Sequence, residues 1–487
     1  MTKTTKSFLY WQWRTIIATM IGYAIFYFVR KNFSFAIPGL SAEYGITKTS
    51  FGIIMTLVTV VYGLSRFLNG LVADRVNARY HMAIGLLLCA IANYAFGFGA
   101  DISTLITGET SGPQFTNMMV LVFGVILLLN NLFQGTGFPP CARLLSHWIP
   151  ANELATKMSI WNTSHSIGAS IVAILCGYVM GTLGTNMAAN PEIVANIAAN
   201  LHIDASDAIK MQGVVESASH VGAWRWCFWI PATVALAGSL GIFIFLRDTP
   251  SSVGLQEIHT VNKKGKEGGA EYKEFIRRMV FRNKWIWLLG VANFLVYIVR
   301  FAVLDWGPTF LKEARGMSLS NAGWTVAVFE IFGILGMLFG GWATDKWLKG
   351  KAHHTCLFCM VGVAVFMSIF LLLPQGTPMW EMVIILALAG FCIYGPQALI
   401  GISAVNQATN RAAATANGLT GIFGYASGII SGIGVGVFVD KMNQINPAKS
   451  WDYVFMGMIG VAVLGILVFA SMWNAKADGY DEVDKAK

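Results

Sequence analysis

The sequence predicts an all-α membrane protein of twelve transmembrane helices, arranged as two related six-helix halves. Three observations carry that prediction. Hydrophobic residues make up 55% of the 487 residues and charged residues only 12%, about half the charged share of an ordinary soluble chain. Apolar runs of roughly 20 residues recur from end to end, each long enough to cross a hydrocarbon core of about 30 Å. Two motifs also repeat at nearly the same offset. YFVR at 27–30 returns as YIVR at 297–300, and GLVADRVNARYH at 70–81 returns as GGWATDKWLKGKAHH at 340–354.

Taken in order, the spans fall at 14–38, 49–72, 82–100, 117–146, 155–183, 223–246, 284–310, 320–343, 354–373, 379–405, 412–439 and 452–474. An even number puts both termini on one side. The short loops of that side hold Arg75, Arg79, Arg143, Lys157, the cluster from Lys263 to Lys284, Lys346, Lys349, Lys351 and Arg411. The opposite loops hold mainly acids, among them Glu43, Asp101, Glu109, Glu192 and Asp204. Cations gather on the cytoplasmic side of membrane proteins, so both termini are expected to be cytoplasmic. The same placement accounts for the net charge of +9 without a nucleic-acid partner. The first apolar run is too long for a signal sequence and reads as an uncleaved span.

Residues 1–246 form the first predicted bundle and 284–487 the second. Between them, 247–283 contains NKKGKEGGAEYKEFIRR, has no apolar periodicity and reads as a cytoplasmic linker. A polar insert at 184–222 lies outside, and its Ala-rich pattern predicts one or two short surface helices. Parallel bundles repeated in this way place a substrate site between them, near the midplane. The seven cysteines are odd in number and sit mostly in apolar segments, against a disulfide framework. Cys356 and Cys359, behind His353 and His354, begin a span and have no second pair. No metal and no cofactor is expected.

The two repeated arginines carry the functional reading. If the first span ended before Arg30 it would be too short to cross, and the same holds for the seventh span and Arg300. Both arginines are therefore placed within the membrane, where each costs roughly 2.5–3.5 kcal/mol. Arg14 precedes Arg30 by the same interval that separates Lys284 from Arg300, which sets the two at matching depth. A doubly charged phosphate group suits such a pair, because the guanidinium fork matches its oxygens bidentately. Tyr23 and Tyr27 share a helix face with Arg30, as Tyr297 does with Arg300. These phenols are candidate donors to phosphate or to the hydroxyls of a small polyol.

Other polar groups fall inside spans. His165, in SIWNTSHSIGASI, titrates near the second ionisation of phosphate. Arg66, with Tyr62 one turn before it, either faces the cavity or snorkels from the cytoplasmic half. Asp305 and Glu330 either exchange ion pairs with the arginines or Lys31 as substrate binds, or balance a local charge. The Gly/Pro-rich stretches QGTGFPP from Gln134 and YGPQ from Tyr394 read as helix breaks within the membrane.

The motifs YxVRKNFxFAxP, DRxNxR, FQGxGxPPCxR, SxWNxxHxxG, RDTPxxxGL, LDWxPTxLKE, YGPxxLIG and GxTGxFGY stand in order across nearly the whole chain. This series resembles the organophosphate:phosphate antiporters of the major facilitator superfamily. The resemblance implies that superfamily's fold of two pseudo-symmetric six-helix bundles. It also implies exchange of an external organic phosphate for internal inorganic phosphate, in a bacterial cytoplasmic membrane and as a monomer. By position it makes Arg30 and Arg300 the phosphate-binding arginines and His165 a substrate-binding histidine. Tyr23, Tyr27, Tyr62, Tyr297, Tyr394, Asn162 and Gln134 would line the cavity, and Lys31, Asp305 and Glu330 would form ion pairs. The chain departs from the pattern at Arg66, where the family usually has lysine. RDTPxxxGL and TGIFGY look most like glycerol-3-phosphate transporters, while YGPQ looks like the hexose-phosphate members. A sensor of hexose phosphate is the other reading, and no nucleophile–base pair suggests an enzyme.

Overall fold

The computed structural model describes residues 3–73, 76–149, 157–158, 160–204, 206–256, 270–374 and 376–476. Asp74, Arg75 and linker residues 257–269, on which parts of the predicted repeat and linker fall, lie outside the described residues. Among those described, the regular elements are helical, and a single antiparallel bridge joins Thr185 to Val221. The chain divides into two compact units. One comprises Met1–Asn262 with Leu311–Ala327, the other Lys263–Phe310 with Val328–Lys487.

The first unit runs through α1 (Lys3–Lys31), α2 (Phe33–Tyr44), α3 (Lys48–Ala73), α4 (Ala78–Gly97), α5 (Gly99–Thr107), α6 (Pro113–Gln134) and α7 (Phe138–Trp148). It continues through α8 (Ser164–Thr182), α9 (Pro191–Asn200), α10 (Ala208–Ala218) and α11 (Ala223–Phe245). Local chemistry sets several ends. The Asn77 carboxamide accepts the Arg79 N–H to open α4, and Asn190 does the same for Glu192 and Ile193 at α9. Gly45, at φ 64°, closes α2 in the left-handed conformation that glycine adopts without strain. The core of this unit gathers Phe26 and Val29 from α1, Leu86 from α4, Leu144 from α7 and Ile242 from α11, with Trp161 beside them. The insert forms two short helices, α9 and α10, over a small core of Ala42, Ile197, Ala198, Val214 and Ala218.

The second unit holds α12 (Ala270–Ile276), a π-helical turn (Arg277–Phe281), α13 (Lys284–Arg315), α14 (Leu319–Lys346), α15 (Ala352–Leu372), α16 (Met379–Ala426), α17 (Val435–Ile445) and α18 (Ser450–Ser471), of which Leu311–Ala327 group with the first. The segment expected to be a linker is helical from Ala270, and its Met279 and Val280 are buried. That apolar pair anchors the segment.

Eleven helical stretches among the described residues are long and apolar enough to cross a membrane. The remaining predicted span, 14–38, is shared between α1 and α2, because the helix kinks where Val29 adopts φ −95°, ψ 16°. Leu121, Leu240, Leu335 and Leu338 are each at least half exposed, as lipid-facing side chains are. One expected break is present, between Gln134 and Phe138, where α6 gives way to α7. The other is not. Helix α16 continues through Pro396, whose ring removes one N–H without ending the helix.

Candidate functional site

In the first unit, residues predicted from separate spans converge. Helix α1 carries Tyr23, Tyr27 and Arg30 on one face, spaced by one and two turns. Helix α3 brings Tyr62 and Arg66. The Arg30 guanidinium carbon lies 3.6 Å from the centre of the Tyr62 ring and 5.5 Å from that of Tyr27. Tyr62 also interacts electrostatically with Tyr23. Arg66 rests 4.1 Å from the Phe138 ring and acts electrostatically on Tyr23 and Tyr62, as Arg30 does. Two cations, three phenols and one phenyl ring therefore share a neighbourhood.

His165 closes this group at the start of α8. It is 5% exposed, and its ring lies 5.7 Å from Tyr27. Its Nδ1 bonds to the carbonyl of Asn162. A carbonyl can only accept, so Nδ1 carries the proton and any further proton binds at Nε2. Tyr23 stacks on Trp161 at 5.0 Å, which fixes the phenol side of the group. Lys31, the last residue of α1, is half-buried.

The second unit holds a smaller set. Arg300 is 6% exposed on α13, and its Nη2 donates to the Tyr394 hydroxyl at 3.2 Å. The rings of Tyr394 and Tyr297 lie 4.8 and 5.8 Å from its guanidinium carbon. Tyr394 is fully buried and also engages Glu330, itself 1% exposed. Gly333 permits this arrangement, because a Cβ there would come within 2.6 Å of the Tyr394 ring. Asp305 sits half-buried on the same helix as Arg300.

Gln134, expected to line the cavity, directs its amide nitrogen to α1. Its amide nitrogen donates to the carbonyls of Phe26 and Val29, at 3.1 and 3.4 Å, and it is buried within the unit. Phe138, Trp161, Asn32, Asn93 and Asn130 border the same region and were not singled out by sequence reasoning. The signal for the asparagines was available, since a carboxamide inside an apolar run needs a partner. Among the described residues, no group of three or more His, Cys, Asp or Glu could hold a metal ion.

Each cluster combines guanidinium charge with phenol hydroxyls, donors chemically suited to an anion. A ring against the face of a guanidinium engages its π surface and leaves the planar fork geometry intact.

The family model described as Major Facilitator Superfamily matches residues 19–432. The glycerol-3-phosphate transporter of Bacillus subtilis (strain 168) is 35% identical over 469 residues, covering 95% of this chain and 92% of that protein. The probable hexose phosphate transport protein of Chlamydia pneumoniae is 32% identical over 486 residues, covering 96% and 93%. In fold, the chain is similar to a bacterial homolog of the human lysosomal transporter Spinster in its inward-facing, unoccupied conformation. The TM-score is 0.69 at 14% identity, over 94% of this chain and 96% of that one.

Proposed function

Since the chain belongs to the Major Facilitator Superfamily, and is thereby a multi-pass transport protein rather than an enzyme, we propose that it takes up an organic phosphate in exchange for inorganic phosphate. One observation carries this reading. Each unit embeds an arginine at the repeated position and sets its guanidinium against tyrosine: Tyr62 and Tyr27 for Arg30, Tyr394 for Arg300. A guanidinium stacked on a ring still presents its planar fork, and a phosphate dianion is a ligand whose oxygens match that fork.

Glycerol-3-phosphate is the first candidate substrate and hexose 6-phosphate the second, in line with the names of the two relatives. On this reading the protein is a monomer in a bacterial cytoplasmic membrane with both termini inside, and access to the site alternates between the two faces. Arg66 and His165 serve the same anion.

The test is counterflow. Proteoliposomes loaded with phosphate are expected to take up labelled glycerol-3-phosphate, and unloaded ones are not. A panel of phosphorylated sugars and polyols competing for that uptake ranks the substrates. Uptake by unloaded vesicles under a pH gradient alone would replace exchange with proton symport. Ligand binding without any flux would make the protein a sensor.

A further inference from the structure

The kink between α1 and α2 lies one residue before Arg30, and the carbonyl it frees is held from three directions. The Val29 carbonyl accepts Asn130 Nδ2 at 2.8 Å, Asn93 Nδ2 at 3.2 Å and Gln134 Nε2 at 3.4 Å. Asn32, on the far side of the kink, donates to Asn93 Oδ1 at 2.8 Å and to the Cys227 carbonyl at 2.9 Å. Asn93 Nδ2 also reaches Asn130 Oδ1 at 3.3 Å. Val29 and these four carboxamide residues are each 3% exposed or less. The network ties the kinked helix to α4, α6 and α11.

The repeat does not copy this feature. Helix α13 runs unbroken from Lys284 to Arg315, and Ala302 stands where the offset between the arginines would put a second Asn32. Tyrosine meets both guanidiniums, Tyr62 that of Arg30 and Tyr394 that of Arg300, and the carboxamide network on the backbone is an addition at Arg30.

We propose that the carboxamides of Asn93, Asn130 and Gln134, closing on the Val29 carbonyl, position Arg30 for its anion. This rests on the reading that Arg30 binds phosphate. The physical case is one of leverage. A rotation of about 15° at the Arg30 Cα moves a guanidinium about 6 Å away by more than an ångström. In a site that depends on orientation, a displacement of about 1 Å costs on the order of 100-fold. Carboxamides also suit the task better than carboxylates. They satisfy a buried carbonyl without placing a negative charge beside the arginine, so the site keeps its charge for the ligand.

The test uses the full chain in proteoliposomes and measures phosphate–phosphate exchange. Asn130→Leu and Asn93→Leu are each expected to raise the KM for phosphate about 10-fold, with the maximal rate within about twofold, given what a lost buried hydrogen bond costs. Gln134→Leu, at the longest contact, is expected to raise it about threefold and is the variant to use if the others do not fold. In an Arg30→Lys background these effects should largely vanish, whereas with Arg300→Lys they should multiply. An unchanged KM in folded variants, or equal multiplication in both backgrounds, overturns the proposal. If the wild-type chain does not exchange phosphate, the functional reading fails, and amide hydrogen exchange still decides the clamp. Faster exchange confined to residues 26–34 in Asn130→Leu supports it, and no change there rejects it.

Discussion

At the scale of single residues, the chemistry depends on guanidinium rather than on positive charge alone. Lysine in place of Arg30 or Arg300 keeps the charge, loses the planar fork and cannot stack on tyrosine as a guanidinium does. Arg30→Lys and Arg300→Lys are therefore expected to lower phosphate exchange by about 10-fold or more, since each removes at least one charge-assisted bond. Tyr394→Phe keeps the ring against Arg300 and deletes only the hydroxyl that accepts from Nη2. Its expected cost is smaller, about 1 kcal/mol or several-fold in phosphate affinity. The measurement is exchange rate and phosphate affinity across the three variants. Near-normal exchange by both lysine variants would count against fork recognition, and a Tyr394→Phe defect as large as Arg300→Lys would make the phenol a ligand in its own right.

At the scale of elements, the end of the insert and the start of α11 are tied to α2 through a carboxyl group. Glu43, beyond the predicted first span, accepts the Gly222 N–H at 2.8 Å and Trp224 Nε1 at 3.2 Å. Burial pushes its pKa up to about 7, against the lowering effect of those two donors and of Arg225 and Lys312. Glu216, His220 and Lys312 line the same small cavity, and Tyr44 is adjacent. The sign follows from the direction of the shift. A carboxyl with a raised pKa contributes stability that is complete below its ordinary value of 4.5 and is lost as pH rises through about 7. The packing around Glu43 should therefore loosen as pH rises from about 4.5 to about 7. Amide hydrogen exchange of residues 191–222, corrected for intrinsic rates, is expected to show less protection at the higher pH. Glu43→Gln should flatten that difference; protection that is indifferent to pH in the wild type would show that Glu43 does not govern this contact.

At the scale of the whole chain, the helical membrane fold and the converging residues were legible because burial in lipid leaves a strong mark on sequence. Span length, the repeated arginines and the aromatic residues one turn away all follow from local periodicity, and the structure brings Tyr23, Tyr27, Arg30, Tyr62 and Arg66 into one neighbourhood. What was not legible depends on contacts between distant segments. The kink at Val29 has no proline or glycine to announce it and exists because Asn93, Asn130 and Gln134 satisfy its carbonyl. The continuity of α16 through Pro396 is equally a matter of surroundings. Orientation in the membrane is a property of the chain as a whole, and charge decides it. At one end of the first unit Arg143 binds the Ala73 carbonyl and Asp248, Arg14 binds the Phe245 carbonyl and Lys157 binds Gln12. At the opposite ends of these helices lie Glu43, the Asp101–Arg225 pair and the insert. Cations are retained on the cytoplasmic side, so the insert should face outward. The native cysteines are buried or half-buried, which keeps the labelling background low. Glu192→Cys and Lys346→Cys place single thiols at exposed positions on the insert and at the basic end of α14. A membrane-impermeant maleimide added to intact cells is expected to label the first and spare the second, and to label both after permeabilisation. Labelling of Lys346→Cys alone in intact cells would invert the topology and, with it, the direction of uptake.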